Sequence, residues 1–191
     1  MSNRRLAVFA SGNGTNAEAI MKHFQHHSEI IVGLVLSNNP HAGVLERAKK
    51  FDVSTRVFNR EQFREGKDVM ASLEDQQITH VILAGFLWLI PPYLIEAYPG
   101  HIINIHPSLL PQFGGKGMYG QKVHEAVKAS GEKQTGITIH LVNERFDEGK
   151  IIFQAACAID AEDTVDTIAE KVHQLEHRHF PAVIEEWVTK A

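Results

Sequence analysis

Cysteine occurs once in these 191 residues, at position 157, which rules out an intrachain disulfide and a cysteine-rich zinc site. Because Cys157 lies in the apolar stretch "IIFQAACAI", it is expected to be a buried core thiol rather than a catalytic one. Basic charge has no surplus either. Against 23 Asp and Glu stand 19 Lys and Arg, a formal net charge of -4, so no positive field is available to hold a nucleic-acid backbone. No run of about 18 apolar residues is present that could cross a bilayer as a helix. The charged start Arg4-Arg5 leads into only "LAVFA" before a glycine-rich turn, too short for the apolar part of a signal peptide. Internal repeats, low-complexity tracts and linkers are missing as well. The expectation is one soluble, cytoplasmic domain over residues 1–191, monomer or homodimer, serving small molecules with neither membrane nor nucleic acid as partner.

What is present is an ordinary globular composition, 43% apolar and 22% charged. The runs "RLAVFA" and "IIVGLVLS" have the look of strands buried on both faces, and "NAEAIMKHF" between them spaces Ala17, Ile20 and Phe24 for a helix. The alternation continues through a helical "HAGVLERAKKF", a strand around "STRVF", one helix from about Gln62 to Leu73 and the apolar run "THVILAGFLWLI". Then come "PPYLIEAY", whose prolines suit a helix start, and the strand "HIINIH". This order predicts an α/β domain with a mainly parallel, twisted sheet and right-handed crossovers. After Pro111 a glycine-dense loop precedes a short helix closed by Gly131, and "GITIHLV" and "GKIIFQAACAI" form an antiparallel addition in the C-terminal half. The last helix, Val165 to Trp187, carries a stripe of Ile168, Val172, Leu175, Val183 and Trp187, with a kink or break expected at Pro181.

The first strand ends in "ASGNGTNAEA", where Gly12, Gly14 and Ala17 match G-x-G-x-x-G/A. Glycines let backbone approach an anion while the amides and dipole of a helix N-terminus favour negative charge. A plain strand-to-helix turn has the same pattern, so the motif alone is weak. Dinucleotide binding also wants an acidic residue at the end of the second strand, and "LVLSNNP" has none. A single phosphate on Gly14, Thr15 and Asn16 fits better, and with it a small phosphorylated substrate.

Asn104 and His106, two apart in a strand, project to one face, at the carboxyl end where α/β sheets bind ligands. Asn supplies a donor for a developing oxyanion and His a proton carrier near neutral pH. An aspartate would orient the imidazole and favour its charged form, and Asp147 in "NERFDEG" is the best candidate. The three suit direct transfer of an acyl or formyl group to an amine. The bland alternative is a pair of satisfied polar residues at a strand end. Ser108 lacks a G-x-S-x-G elbow and follows a proline, which argues against serine catalysis.

Taken together and in order, "ASGNGTN", "AGF", "INIHPSLLP" and "FDEG" make the chain resemble the folate-dependent phosphoribosylglycinamide formyltransferase family of purine synthesis. The likeness runs along essentially the whole chain, and "NIHPSLLP" is specific for formyltransferases at large. It implies a single Rossmann-like formyltransferase domain, with the phosphate-substrate half about 1–80 and the folate and catalytic half about 81–191. It implies 10-formyltetrahydrofolate as donor, 5-phosphoribosylglycinamide as acceptor, and no metal. His106 would be the general acid/base, Asn104 would steady the oxyanion, and Asp147 would raise the His106 pKa. Gly14, Thr15 and Asn16 would hold the acceptor's phosphate, with His173 and Glu176 beside the acceptor. Folate would lie between Leu87, Trp88, Leu89 and Ile90 on one side and Asn143, Glu144, Arg145, Phe146 and Asp147 on the other, near Asn104, with Arg60 close to it. An apolar slot edged by backbone hydrogen bonds suits a pteridine.

Two departures stand out. Many family members carry Arg where this chain has Trp88, and "QFGGKGMYGQKVHEA" is longer than the family's common "PG" loop, so Lys116, Met118 and Tyr119 form either a lid or a surface insertion. Three other readings compete. "HQLEH" at 173–177 matches the H-x-x-E-H zinc signature, yet it lacks a third ligand, and chance matches are expected with 12 histidines. A 10-formyltetrahydrofolate hydrolase, or a formyltransferase for methionyl-tRNA or a sugar nucleotide, would share the Asn, His and Asp chemistry, but the hydrolase and the tRNA enzyme normally carry a further domain. A non-catalytic nucleotide-binding module would have no use for the triad.

Overall fold

The computed structural model describes residues 4–190. Strand and helix alternate through β1 (Arg4–Phe9), α1 (Thr15–Phe24), β2 (Ile30–Ser37), α2 (Gly43–Lys50) and β3 (Ser54–Val57). Helices α3 (Arg60–Glu65) and α4 (Lys67–Asp75) lead to β4 (His80–Leu83), α5 (Pro92–Ala97) and β5 (Ile102–His106). The chain closes with α6 (Gln121–Ser130), β6 (Gln134–Leu141), β7 (Ile151–Ala158) and α7 (Val165–Lys190). These strands make one sheet in the order β3-β2-β1-β4-β5-β6-β7. The first five positions pair in parallel, and β6 and β7 add antiparallel.

β1 shows why the sheet has layers on both faces. Its side chains alternate, Leu6 and Val8 joining one apolar cluster and Ala7 and Phe9 the other, all four fully buried. The first cluster takes Ala17 and Ile20 of α1, Val44 of α2 and Val172 and Phe180 of α7. The second takes Phe63, Val69, Leu73 and Leu94 of α3, α4 and α5. The connection from β1 runs to β2 on one side while β4 lies on the other, so a crevice opens past their carboxyl ends.

Four expectations need correction. The helix expected from Gln62 to Leu73 is two helices, because Gly66 adopts a left-handed φ of 81° and Tyr93 lies where its side chain would be. Of "THVILAGFLWLI" only His80–Leu83 is strand, since Gly85 at φ 74° turns the rest into a loop. Of the kink or break expected at Pro181, the break is absent: α7 runs through the position, and the proline is among the helix's buried residues. Cys157 is half-buried rather than a core thiol, because β7 is the sheet's edge strand, where even the inward-facing row is only partly covered. Burial still pushes its thiol pKa up, which disfavours the thiolate.

At the opposite end of the sheet from the crevice, His80 is only 5% exposed, its Nε2 has no partner, and it is wedged against the rings of His101 and Trp187. Burial, then His101 and Arg4, lower its pKa to about 4 from 6.5. An unfolded chain therefore binds this proton near pH 6.5 and the folded one only near pH 4, so stability falls as pH drops through that window. By pH 5 the loss from this group is about 2 kcal/mol. Urea unfolding at pH 7 and pH 5 checks this: His80→Leu should reduce the wild-type loss, and an equal loss in both proteins would refute the assignment.

Candidate active site

The loop after β1 is held from below by α2. Val44 N–H donates to Gly12 O at 3.2 Å, and Arg47 donates through Nε to Asn13 O at 2.8 Å and through Nη2 to Asn13 Oδ1 at 3.1 Å. Arg47 also pairs with Glu18 of α1. Gly14 caps α1 at φ 78°, and a side chain there would come within 2.5 Å of Val44 Cβ, so both conformation and space demand glycine. The result is a fixed backbone turn at a helix N-terminus, with Thr15 and Asn16 at its rim.

Asn16 Nδ2 donates to Glu176 Oε2 at 2.9 Å, and His173 Nδ1 meets the same oxygen at 2.7 Å. Glu176 is 4% exposed although it is acidic, because it occupies the stripe position between Val172 and Phe180 on α7. That bond to Glu176 raises the His173 pKa. Asn16 Oδ1 is buried without a partner, as is Nδ1 of His124, a residue of α6 that lines the same cavity. Burial and the neighbouring His173 lower the His124 pKa.

At the end of β5, Asn104 and His106 share a face while Ile103 and Ile105 enter the first apolar cluster on the other. His106 Nδ1 lies 3.5 Å from Asp147 Oδ2, and Nε2 donates to the carbonyl of Phe113 at 2.8 Å. Phe113 and Asp147 both have φ near +55° (55° and 57°), rare for a bulky residue such as Phe113 and tolerated by aspartate. Asp147 Oδ2 also accepts from Gly115 N at 2.9 Å, which ties the glycine-dense loop to this carboxylate. Burial lowers the His106 pKa below its ordinary value against the upward pull of Asp147 and Phe113. Asp147 pulls in the expected direction, but the imidazole's lost hydration outweighs it. Burial pushes the Asp147 carboxyl up in turn, yet His140, His106 and the Gly115 amide hold it below the usual carboxylate range.

His140 was not singled out from the sequence. It sits on β6 directly opposite Asn104, its Nδ1 donating to Leu141 O at 2.8 Å, so in the neutral ring Nε2 is free to accept from Asn104 Nδ2 at 3.1 Å. The same amide nitrogen lies 3.4 Å from Asp147 Oδ1. The available signal was a polar pair with period two, Thr138 and His140, alternating with Ile137, Ile139 and Leu141. Thr138 supports the turn after His106 by donating to Ser108 O at 2.7 Å and accepting from Leu110 N at 2.9 Å. Ser108, fully buried, donates to Gln112 O at 2.7 Å and so braces the same turn.

The glycine turn with Thr15 and Asn16, the Asn104, His106, His140 and Asp147 group, and His124, His173 and Glu176 line one cavity of about 1160 Å³. Leu87 to Ile90 and Arg60 line one wall, and Asn143, Arg145, Phe146 and Asp147 the other, while Glu144 is exposed and not among the lining residues. Leu87 and Leu89 are 43% and 42% exposed, an apolar slot with no protein partner over it. Gly115 to Gln121, including Lys116, Met118 and Tyr119, complete the lining together with His177. Among the described residues no group of three or more His, Cys, Asp or Glu is arranged to hold a metal ion.

Residues 4–184 match the model of the formyl transferase family. The chain is 39% identical over 190 residues to the phosphoribosylglycinamide formyltransferase of Bacillus subtilis (strain 168), covering 96% of this chain and 94% of that one. It is 40% identical over 188 residues to the chloroplastic phosphoribosylglycinamide formyltransferase of Arabidopsis thaliana, covering 95% of this chain and 64% of that longer protein. Among solved structures, the phosphoribosylglycinamide formyltransferase from Bacillus halodurans superposes with a TM-score of 0.88 at 38% identity, over 98% of this chain and 96% of the other. That from Anaplasma phagocytophilum gives 0.90 at 32% identity, over 99% and 89%.

Proposed function

Because the chain belongs to the formyl transferase family, we propose that it transfers a formyl group from 10-formyltetrahydrofolate to the amine of 5-phosphoribosylglycinamide, a step of purine biosynthesis. The observation that carries this reading is the placing of Asn104, His106 and Asp147 in one cavity between an apolar slot and a glycine-loop helix terminus. A cavity of about 1160 Å³ exceeds the upper range of ordinary small-molecule sites, about 1,000 Å³, and has room for two substrates side by side.

The acceptor's phosphate sits on the amides of Gly14, Thr15 and Asn16, where the α1 dipole and the fixed turn favour a dianion. Glu176 and His173 receive the sugar hydroxyls, and the orphaned Asn16 Oδ1 gains a partner there. The pteridine enters the slot between Leu87–Ile90 and Asn143–Asp147. The acceptor's amine then attacks the formyl carbon, and the carbonyl oxygen becomes an oxyanion. Asn104 Nδ2 stabilises it by exchanging its long 3.4 Å contact with Asp147 for the new charge. His106 accepts the proton that the attacking nitrogen loses and delivers it to N10 as the N10–carbon bond breaks. Depressed by burial, its pKa keeps the imidazole neutral at pH 7 and ready to take that proton. Asp147 favours the imidazolium that forms, and His140 fixes the Asn104 amide with its nitrogen toward the oxyanion.

Spectrophotometric release of tetrahydrofolate tests the reading. Release that requires phosphoribosylglycinamide is expected; release without it would indicate hydrolysis by water, and none under either condition would overturn the choice of substrates.

A further inference from the structure

The turn proposed for the acceptor's phosphate is backed by a cation that does not itself line the cavity. Arg47 of α2 donates through Nε to Asn13 O at 2.8 Å and through Nη2 to Asn13 Oδ1 at 3.1 Å, and its Nη1 pairs with Glu18. From the same helix, Val44 N–H donates to Gly12 O at 3.2 Å. Helix α2 therefore takes up two successive carbonyls of the turn. The N–H groups of those two peptide bonds belong to Asn13 and Gly14, residues that line the cavity, and among the described residues neither donates to the protein.

A peptide group is planar, so holding its carbonyl on one side aims its N–H to the other. A charged donor on that carbonyl also draws electron density from the N–H and strengthens it as a donor. Arg47 thus reaches a bound anion through the Asn13–Gly14 peptide without touching it. It has a second effect on the same anion. Glu18 lies in the first turn of α1, where an unpaired carboxylate would repel a dianion drawn to the helix N-terminus. We propose that Arg47 is a positioning residue for the acceptor's phosphate, fixing and polarising the Asn13–Gly14 peptide while neutralising Glu18. A lysine could not replace it, since an ammonium lacks the flat fork that reaches Asn13 O, Asn13 Oδ1 and Glu18 together.

The inference rests on the reading of the acceptor as a phosphorylated amine, and its test keeps the two apart. Arg47→Ala is expected to raise the acceptor KM about tenfold, with donor KM and kcat within about twofold. That is the lower end for a hydrogen bond to a charged group, because the guanidinium acts through the turn. Arg47→Lys should leave at least about a threefold rise. In the Arg47→Ala background Glu18→Gln should lower the acceptor KM about twofold by removing the uncompensated acid. Ribosylglycinamide, which lacks the phosphate, should respond to none of these changes. An equal rise with that analogue, full recovery by lysine, or an acceptor KM within twofold of wild type would overturn the inference. Should Arg47→Ala fail to fold, Arg47→Gln keeps a neutral donor for Asn13 O and is expected to show the same split. Calorimetric titration with inorganic phosphate repeats the comparison without turnover. If phosphate affinity depends on Arg47 but phosphoribosylglycinamide is not formylated, the functional reading fails and the inference stands. If the acceptor is formylated with a KM indifferent to Arg47, the reverse holds; if wild-type protein binds neither, both fall.

Discussion

Replacing His106 by alanine should lower kcat by 10²- to 10⁴-fold, the usual contribution of a positioned acid/base, while acceptor affinity changes little. The reason lies in how the site is divided. His106 is held at the end of β5 by Asp147 and the Phe113 carbonyl, and the groups proposed for the acceptor's phosphate and sugar belong to α1 and α7. Losing the imidazole removes the proposed proton carrier but leaves the Gly14 turn with its Val44 and Arg47 supports. Steady-state kinetics with calorimetric titration of phosphoribosylglycinamide would separate the effects. A kcat within tenfold of wild type would remove His106 from the mechanism, and a lost acceptor affinity would show that the two parts of the site are not independent.

Asp147→Asn should also be severe, with a loss of two to three powers of ten in kcat. The change is isosteric, yet it cannot be accommodated. Oδ1 faces Asn104 Nδ2 and Oδ2 accepts from Gly115 N, so either orientation of the new amide sets an NH₂ group against a donor. It also removes the negative charge 3.5 Å from His106 Nδ1. That charge pulls the His106 pKa upward against burial, so its removal should lower the pKa further and move the acid limb of kcat/KM to lower pH. NMR titration of the histidine ring signals, with His106 assigned by comparison with its alanine variant, reads the shift directly. An unchanged His106 titration would refute the electrostatic role even if activity were lost.

Much of the fold is legible in the chain because local patterns agree with the tertiary arrangement. Continuous apolar runs become central strands buried on both faces, and Gly14 and Gly131 stand where left-handed turns open or close helices. The failures have specific causes. Gly66 divides a helix whose apolar spacing continues across the break, so periodicity alone does not register it. "AGFLWLI" is apolar but not strand, because Gly85 turns the backbone at φ 74° and the residues after it line the cavity instead of pairing in the sheet. Cys157 reads as core because a strand's sequence does not tell whether it lies at the centre or the edge of a sheet.

The site divides in the same way. Asn104 and His106 could be paired from sequence because the two-residue strand repeat is local and fixed by covalent geometry. Glu176 could have been marked as unusual by helix spacing alone, an acid in the apolar stripe between Val172 and Phe180. His140 could not be joined to Asn104 that way. Their contact depends on the register of β5 against β6, which is set by packing between residues 36 positions apart in the chain. Nor does the sequence reveal that burial outweighs Asp147 at His106, since desolvation is a property of everything packed around a group. The chain by itself determined the order of elements, the glycine-rich turn and the pair at the strand end. Only the folded structure decided which distant groups face that pair, because those contacts and their electrostatics exist only once the sheet has closed.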